Sequence, residues 1–115
     1  MEETTEKKQI DFNEFLEIEK SLDIRIGVII NAELVPKSNG LKLTVSFGDG
    51  VSKTSFTNLG KTFKPEELIN KVCPFIINLT PNVIKGVTSE VMIMVATDKE
   101  GNVQLNNYEI GSKLL

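Results

Sequence analysis

Apolar and polar residues alternate through the middle of the chain, and this period-2 pattern predicts β-strands. In the first alternating segment the apolar side chains run from Leu22 to Val28 at every second position. The turn residues Gly48–Gly50 stand between two alternating segments, as expected for a β-hairpin. Two later segments are more continuously apolar, and the second of them is expected to be fully buried. The predicted strands are residues 21–35, 41–47, 51–59, 71–79 and 91–96.

Two segments have helical spacing instead. Residues 10–20 place Phe12 and Phe15 on one face, and Asp11 followed by Glu14 predicts a capping box at the start of this helix. Residues 64–70 predict a second short helix with proline at its first position. Five antiparallel strands with a helix before the fourth are typical of the OB fold. The sequence therefore predicts an all-β protein, a five-stranded OB-fold barrel with short helices, whereas a β-sandwich would need about seven strands.

Glycine and charge refine this picture. Gly27 interrupts the first strand and predicts a bulge or bend there. The chain has a formal net charge of −3, which by itself argues against nucleic-acid binding. However, residues 1–20 contain three basic and seven acidic residues, whereas residues 37–85 contain seven lysines and three acidic residues. The acidity therefore belongs to a flexible tail, residues 1–13, and the first helix, while the middle of the domain at 14–115 is mildly basic.

The residues that are missing exclude several classes of chemistry. The chain has no histidine and a single cysteine, Cys73, so it lacks histidine-based catalysis, a Cys/His metal site and an intramolecular disulfide. We expect a non-catalytic protein without a metal or cofactor. No apolar run approaches ~18 residues and the N-terminus has no apolar leader segment, so we expect a cytoplasmic protein without membrane insertion.

A few residues remain as candidates for binding. Ser89 and Glu90 form a polar pair that could bind a base edge or backbone amides, or could simply form a turn with Glu90 in solvent. Met92 and Met94 alternate with Ile93, so one of these faces could be core and the other a partner surface, and we expect both methionines in the core. Lysines between 37 and 85 would form either a track for phosphates or a solvated surface.

The order of several short segments resembles a known family. These segments are Leu22–Gly27, Gly40–Leu43, Phe56–Leu59, Pro65–Lys71, Asn78–Pro81 and Lys85–Met92. Together they resemble the tRNA-binding domain family, which includes stand-alone dimeric tRNA-binding proteins, C-terminal domains of methionyl-tRNA synthetases and CsaA-type export chaperones. One departure is that Asn82–Val83 follows Pro81, where family members often carry a basic pair.

The resemblance implies an OB barrel that forms a homodimer through its N- and C-terminal segments, with tRNA as ligand. The alternative ligand is an unfolded preprotein, and an aminoacyl-tRNA synthetase is a further possible partner. The implied binding residues are Asp23, Arg25, Asn58, Gly86, Ser89 and Glu90. The implied phosphate or partner contacts are Lys42, Lys61, Lys64 and Lys85. Apolar residues that a dimer would bury are Ile10, Phe12, Phe15, Leu16, Ile110, Leu114 and Leu115.

Overall fold

A five-stranded antiparallel sheet forms most of the structure, a computed structural model that describes residues 7–98, 100, 103 and 104. The sheet has the order β3-β2-β1-β4-β7. The strands are β1 Ile24–Leu34, β2 Leu41–Ser46, β3 Ser52–Thr57, β4 Val72–Ile76, β5 Asn82–Ile84, β6 Val87–Ser89, β7 Met92–Ile93, β8 Ala96–Thr97 and β9 Val103–Gln104. The helices are α1 Phe12–Ser21, the 3-10 helix Leu59–Lys61 and α2 Pro65–Leu68.

Alternating side chains on the strands build one hydrophobic core. On β2 the inward-facing Leu41, Leu43 and Val45 are fully buried, and Phe75 on β4 meets them from the neighbouring part of the sheet. Leu68 of α2 is also fully buried, so this short helix covers the core between β3 and β4. Burial of such apolar side chains contributes about 1.5–3 kcal/mol each and is the main force that holds the sheet in its curled shape.

The sheet curls until its two edges meet and form a nearly closed barrel. β3 forms one edge, and the segment that follows β6 lies against it, with the Glu90 backbone N–H donating to the Thr54 carbonyl at 2.8 Å. The hydroxyl of the buried Ser55 donates to the Val91 carbonyl across the same junction at 2.8 Å. The predicted all-β OB-type barrel is confirmed.

The capping box predicted for the first helix is present. The Asp11 carboxylate accepts a hydrogen bond from the Glu14 backbone N–H at 2.8 Å, and the Glu14 carboxylate accepts one from Asp11 N–H at 3.1 Å. None of the side chains of α1 is buried within the described structure. Phe12, Phe15 and Ile18 therefore form an exposed apolar stripe on this helix, with Phe12 71% exposed.

Two predictions about local structure were wrong, namely the bulge at Gly27 and the complete burial of the segment 91–96. The bulge lies between Ile29 and Asn31 and not at Gly27, where the pairing of β1 with β4 is regular. The segment 91–96 is not a buried strand, because only Val91 and Ile93 face the barrel while Met92 and Met94 are exposed. Alternation thus continues through a segment in which every residue is apolar.

Other expectations fall outside what the structure describes. The predicted tail, residues 1–13, is described only from residue 7, and Ile110, Leu114 and Leu115 lie beyond the described residues. Within the described ranges, the longest helix is too short and too polar to cross a membrane.

Candidate nucleic-acid interface

The barrel has two ends, and strand direction decides which candidate residues share one. β1 runs from Ile24 to Leu34, β2 returns from Leu41, and β3 runs parallel to β1 toward Thr57. Loops that follow β1 and β3 therefore lie at one end of the barrel. The start of β1, the turn between β2 and β3, and the residues that follow β4 lie at the other end. The six residues of β3 separate these ends by about 20 Å at ~3.3 Å per residue.

Lysines gather at the end where β3 finishes, which we call the lysine end. Lys42 stands at the start of β2 between Glu33 on β1 and Phe56 on β3. Lys61 ends the 3-10 helix, and this helix is held beside the loop between β1 and β2, since a Cβ on Gly60 would collide with the Asn39 carbonyl oxygen. The lysine end comprises the exposed residues Lys42, Asn58, Lys61 and Lys64, with the turn at Lys85–Gly86.

The turn at Lys85–Gly86 is directed toward the same end. It joins β5 to β6, and the chain from β6 onward runs antiparallel to β3, with Ser89 beside Phe56 and Glu90 beside Thr54. Lys85 has φ +49° and Gly86 has φ +85°, the left-handed conformations that a two-residue hairpin turn requires. The Lys85 side chain is exposed. Among the described residues, none of the four lysines at this end has a carboxylate within ion-pair distance.

Ser89 and Glu90 hold the barrel closed through their side chains. The Glu90 carboxylate accepts a hydrogen bond from the Thr54 backbone N–H at 2.9 Å, and the Ser89 hydroxyl accepts one from Phe56 N–H at 3.1 Å. We call this contact the seam. The Glu90 side chain therefore does not merely point into solvent, since both side chains accept hydrogen bonds from backbone amides of β3 in the same chain. Both side chains are thereby occupied within the protein.

An apolar groove opens beside the seam. It has a volume of about 240 Å³ and lies between β3, the β5–β6 hairpin and the start of β7. Phe56, Leu79 and Met92 supply apolar surface, and Asn82 and Thr80 place polar groups at its edge. Phe56 is the cross-strand neighbour of Lys42 and lies on the same side of the sheet, so the groove adjoins the lysine end at Lys42.

Asp23 and Arg25 lie at the opposite end, away from the other candidates. The Arg25 guanidinium donates from Nε to Asp23 Oδ1 at 2.7 Å and from Nη2 to Oδ2 at 3.4 Å. The hydrogen bond and the negative charge of Asp23 raise the pKa of Arg25 above its ordinary value. The side chain of Asn78 fixes this region, because it accepts from Asp23 N–H at 2.9 Å and donates to the Ser21 carbonyl at 2.7 Å.

The sequence reasoning missed three residues of these surfaces. Asn78 was part of a recognised segment, but its link to a residue 55 positions earlier has no local signal. Met92 was expected in the core, whereas it is 55% exposed and lines the groove together with Phe56. The alternation of Met92 with the inward-facing Ile93 was the signal that could have placed Met92 outside.

Cys73 does not contribute to either end. It is buried on β4, and burial raises the pKa of its thiol against a smaller opposing effect of Lys71, so the thiol remains protonated at neutral pH. Across the described ranges of the chain, no three acidic, cysteine or histidine side chains are grouped as a metal site would require.

Comparison with known proteins agrees with this architecture. The tRNA binding domain family model matches residues 24–113. The methionine–tRNA ligase of Porphyromonas gingivalis is 39% identical over 99 residues, which are 85% of this chain but only 14% of that ligase. The methionyl-tRNA synthetase-related protein of Pyrococcus horikoshii has a TM-score of 0.78 at 27% identity and covers 95% of this chain and 100% of its own. The CsaA chaperone of Picrophilus torridus has a TM-score of 0.75 at 30% identity, with 93% and 100% covered. The chain therefore belongs to the tRNA-binding domain family.

Proposed function

We propose that this protein binds tRNA through the lysine end of its barrel, without catalysing a reaction. The observation that carries the proposal is the group of exposed lysines without ion-pair partners among the described residues, set beside an apolar groove on a barrel of this family. Lysines of this kind attract phosphates independently of sequence. This arrangement suits a ligand that is recognised by its backbone and shape, which is how structured RNA is usually recognised.

The groove gives this surface a second kind of contact. Phe56 offers an aromatic ring beside the polar groups of Asn82 and Thr80. An unpaired base could stack on such a ring, and stacking of this kind contributes about 1–3 kcal/mol per base. Ser89 and Glu90 support the surface indirectly, because they order the hairpin that bears Lys85 and Gly86.

The salt dependence of tRNA binding tests this proposal. Four phosphate contacts predict that log K falls with log salt with a slope of about −3 to −4. Filter binding of a bulk tRNA pool between about 50 and 200 mM salt measures this slope. A double-stranded DNA of equal length serves as the control ligand, and its affinity is compared with that of tRNA at each salt concentration. Binding that is undetectable at the lowest salt, or that does not change with salt, would contradict the proposal.

We infer that the protein acts as a homodimer. The ten-residue helix α1 has no buried side chain in the described structure, and an isolated helix of that length is marginal in water. A second copy could cover the stripe formed by Phe12, Phe15 and Ile18. Equilibrium sedimentation at micromolar concentration is expected to give twice the chain mass, and Phe12→Gln should weaken the association. A single species of 12.8 kDa would exclude the dimer.

A second candidate function is the binding of unfolded polypeptide, and the apolar groove favours it. The groove has apolar walls from Leu79 and Met92, and solved structures of similar fold include CsaA chaperones. A preprotein-binding chaperone should slow the aggregation of an unfolded chain at stoichiometric concentration. Suppression of aggregation that persists in Met92→Gln would exclude the groove as the peptide site.

Other partners follow from the relatives. Because the matched ligases extend far beyond this domain, the chain could associate with an aminoacyl-tRNA synthetase and supply it with an RNA-binding surface. A tRNA ligand would also imply that the protein works in the cytoplasm. Purification of the untagged protein with its bound material distinguishes these cases, since tRNA raises the 260/280 absorbance ratio and a synthetase adds a large polypeptide.

A further inference from the structure

A second cleft lies at the end of the barrel opposite the lysines. It has a volume of about 230 Å³ and is bounded by the start of β1, the turn between β2 and β3, and the residue that follows β4. Its floor is apolar and consists of Ile26, Phe47 and Ile77. Arg25 and Asp49 stand at its rim, and Val51, which is 47% exposed, forms one wall. We call this feature the arginine cleft.

The floor of the arginine cleft is fixed by the fold. Phe47 packs edge-on against Phe75, with ring centroids 5.6 Å apart and planes at 84°. A Cβ atom on Gly27 would lie 2.7 Å from Val45 Cγ1 and 2.8–2.9 Å from the Phe47 ring, closer than packed atoms tolerate. The absence of a side chain at Gly27 therefore lets the Phe47 ring lie against β1, in the position from which it lines the cleft.

The Arg25 guanidinium is held in a fixed orientation at the rim. Two hydrogen bonds to the Asp23 carboxylate define its plane, and the Asp23 backbone is itself held by Ile77 N–H at 2.9 Å and by the Asn78 side chain. The side chains of Arg25 and Asp23 are 40% and 33% exposed. Because the carboxylate compensates the positive charge, this arginine suits a phosphate poorly but offers a flat face for stacking.

The shape and chemistry of the arginine cleft fit a nucleobase. A base is a flat ring with apolar faces and polar edges, and guanidinium planes are among the surfaces on which unpaired RNA bases stack. The apolar floor suits the ring, while Arg25, Asp49 and the turn backbone place polar groups where its edge would lie. A purely apolar side chain of a peptide would contact the floor but would make no use of these polar groups at the rim.

We propose that the arginine cleft binds one unpaired nucleobase, stacked on the Arg25 guanidinium, and that this base belongs to the RNA bound at the lysine end. The second half of this statement rests on the proposed function. The cleft lies about 20 Å along β3 from the lysines. A folded RNA with unpaired loops and a single-stranded end can reach both sites at once, whereas a short duplex offers no free base.

Titration with adenosine, a nucleoside without phosphate, tests the cleft directly. In ¹H–¹⁵N spectra we expect saturable shifts of Arg25 Nε–H and of residues 48–51. Arg25→Lys keeps the positive charge but removes the planar guanidinium on which the base would stack. It should therefore weaken adenosine binding by about 5-fold or more. Val51→Glu changes an exposed wall residue and should also reduce the shifts, so the test does not depend on one variant folding well.

Three results would overturn the cleft assignment. The first is the absence of saturable shifts with adenosine, and the second is a set of shifts confined to Phe56 and Met92 in the apolar groove. The third is binding of N-acetyl-tryptophanamide but not adenosine, which would indicate a peptide site.

Affinity for tRNA tests the link between the two sites. Arg25→Lys is expected to weaken tRNA binding by about 5-fold or more without changing the salt slope, since no charge is lost. A 16-base-pair RNA duplex should bind the variant and the original protein equally, and Lys20→Arg on α1 is the matched control. Equal tRNA affinities would overturn the assignment of the base to the bound RNA. If the unmodified protein binds adenosine in the cleft but no tRNA, the proposed function fails while the cleft assignment stands.

Discussion

The two ends of the barrel use cationic side chains in opposite ways. At the lysine end, Lys42, Lys61 and Lys64 are exposed, and none of them forms an ion pair with another described residue. At the other end, Arg25 is fixed by two hydrogen bonds to Asp23. An unpaired ammonium attracts phosphates at a distance with its full charge. A guanidinium paired with a carboxylate has its charge compensated, but its orientation is defined.

Such a division would allow one small barrel to combine affinity with selectivity. Exposed lysines attract any polyanion, and their contribution falls as salt rises. A flat guanidinium above an apolar floor responds to the shape of a ring and is nearly independent of salt. The two proposals are therefore separable by experiment, because salt and charge would affect binding at the lysine end and ring geometry would affect binding in the arginine cleft.

The largest expected effect comes from removing charge at the lysine end. Lys42→Ala combined with Lys61→Ala and Lys64→Ala should weaken tRNA binding by about 100-fold near 0.1 M salt and reduce the salt slope by about 2–3. The matched control is Lys7→Ala with Lys8→Ala and Lys20→Ala, which removes the same charge from the N-terminal part of the chain. Filter binding at several salt concentrations measures both variants. Equal losses in the two triple variants would show that net charge, and not this end, determines affinity.

The next largest effect concerns the seam that supports the lysine end. Glu90→Ala removes the acceptor of the half-buried Thr54 N–H and should lower the free energy of unfolding by about 1.5–3 kcal/mol. The control is Glu14→Ala, which removes an exposed acceptor only three residues from its donor and should cost about 0.5–1 kcal/mol. Urea unfolding measures both values.

Hydrogen exchange provides a sharper readout of the same variants. In Glu90→Ala the Thr54 and Phe56 amides should exchange faster, while the Ile77 amide, which donates to the Asp23 carbonyl at the other end, should keep its protection. Loss of protection at both ends to the same extent would mean that the seam stabilises the whole barrel and not the lysine end in particular.

Much of the fold could be predicted because its signals are local. Alternation identified β1 to β3, the Gly48–Gly50 turn joined two of them, and the spacing of Asp11 and Glu14 gave the capping box. In each case the interacting groups are close in sequence. The bulge was misplaced because a glycine within a strand can indicate either a bulge or the close approach of another side chain. At Gly27 the reason is the close approach of the Phe47 ring, and the sequence does not tell the two cases apart.

The candidate site was harder because its members are brought together by topology. The family resemblance implied that both Arg25 and Lys42 contact the ligand or a partner. The directions of β1 and β2 nevertheless place these two residues at opposite ends of the barrel. Conversely, Phe56 and Met92 line one groove although 36 positions separate them, and nothing in either local sequence links them. An all-apolar segment also hides which side chains face outward, which is why Met92 and Met94 were expected in the core.

A further effect, the smallest on tRNA binding, is predicted at the floor of the arginine cleft. Gly27→Ala introduces a methyl group 2.7 Å from Val45 Cγ1 and 2.8–2.9 Å from the Phe47 ring, so the Val45 and Phe47 side chains, the second of which lines the cleft, must move. We expect a loss of about 1–3 kcal/mol in stability from this overpacking. Adenosine shifts at residues 48–51 should disappear, while the salt slope for tRNA should stay unchanged because no charge at the lysine end is altered. Gly86→Ala is the control: its methyl group meets open space, and the strain at its positive φ falls on the β5–β6 turn at the other end of the barrel, so adenosine binding should stay intact. If Gly27→Ala changed the salt slope as well, the two ends would have to be coupled through the core, and their separation would fail.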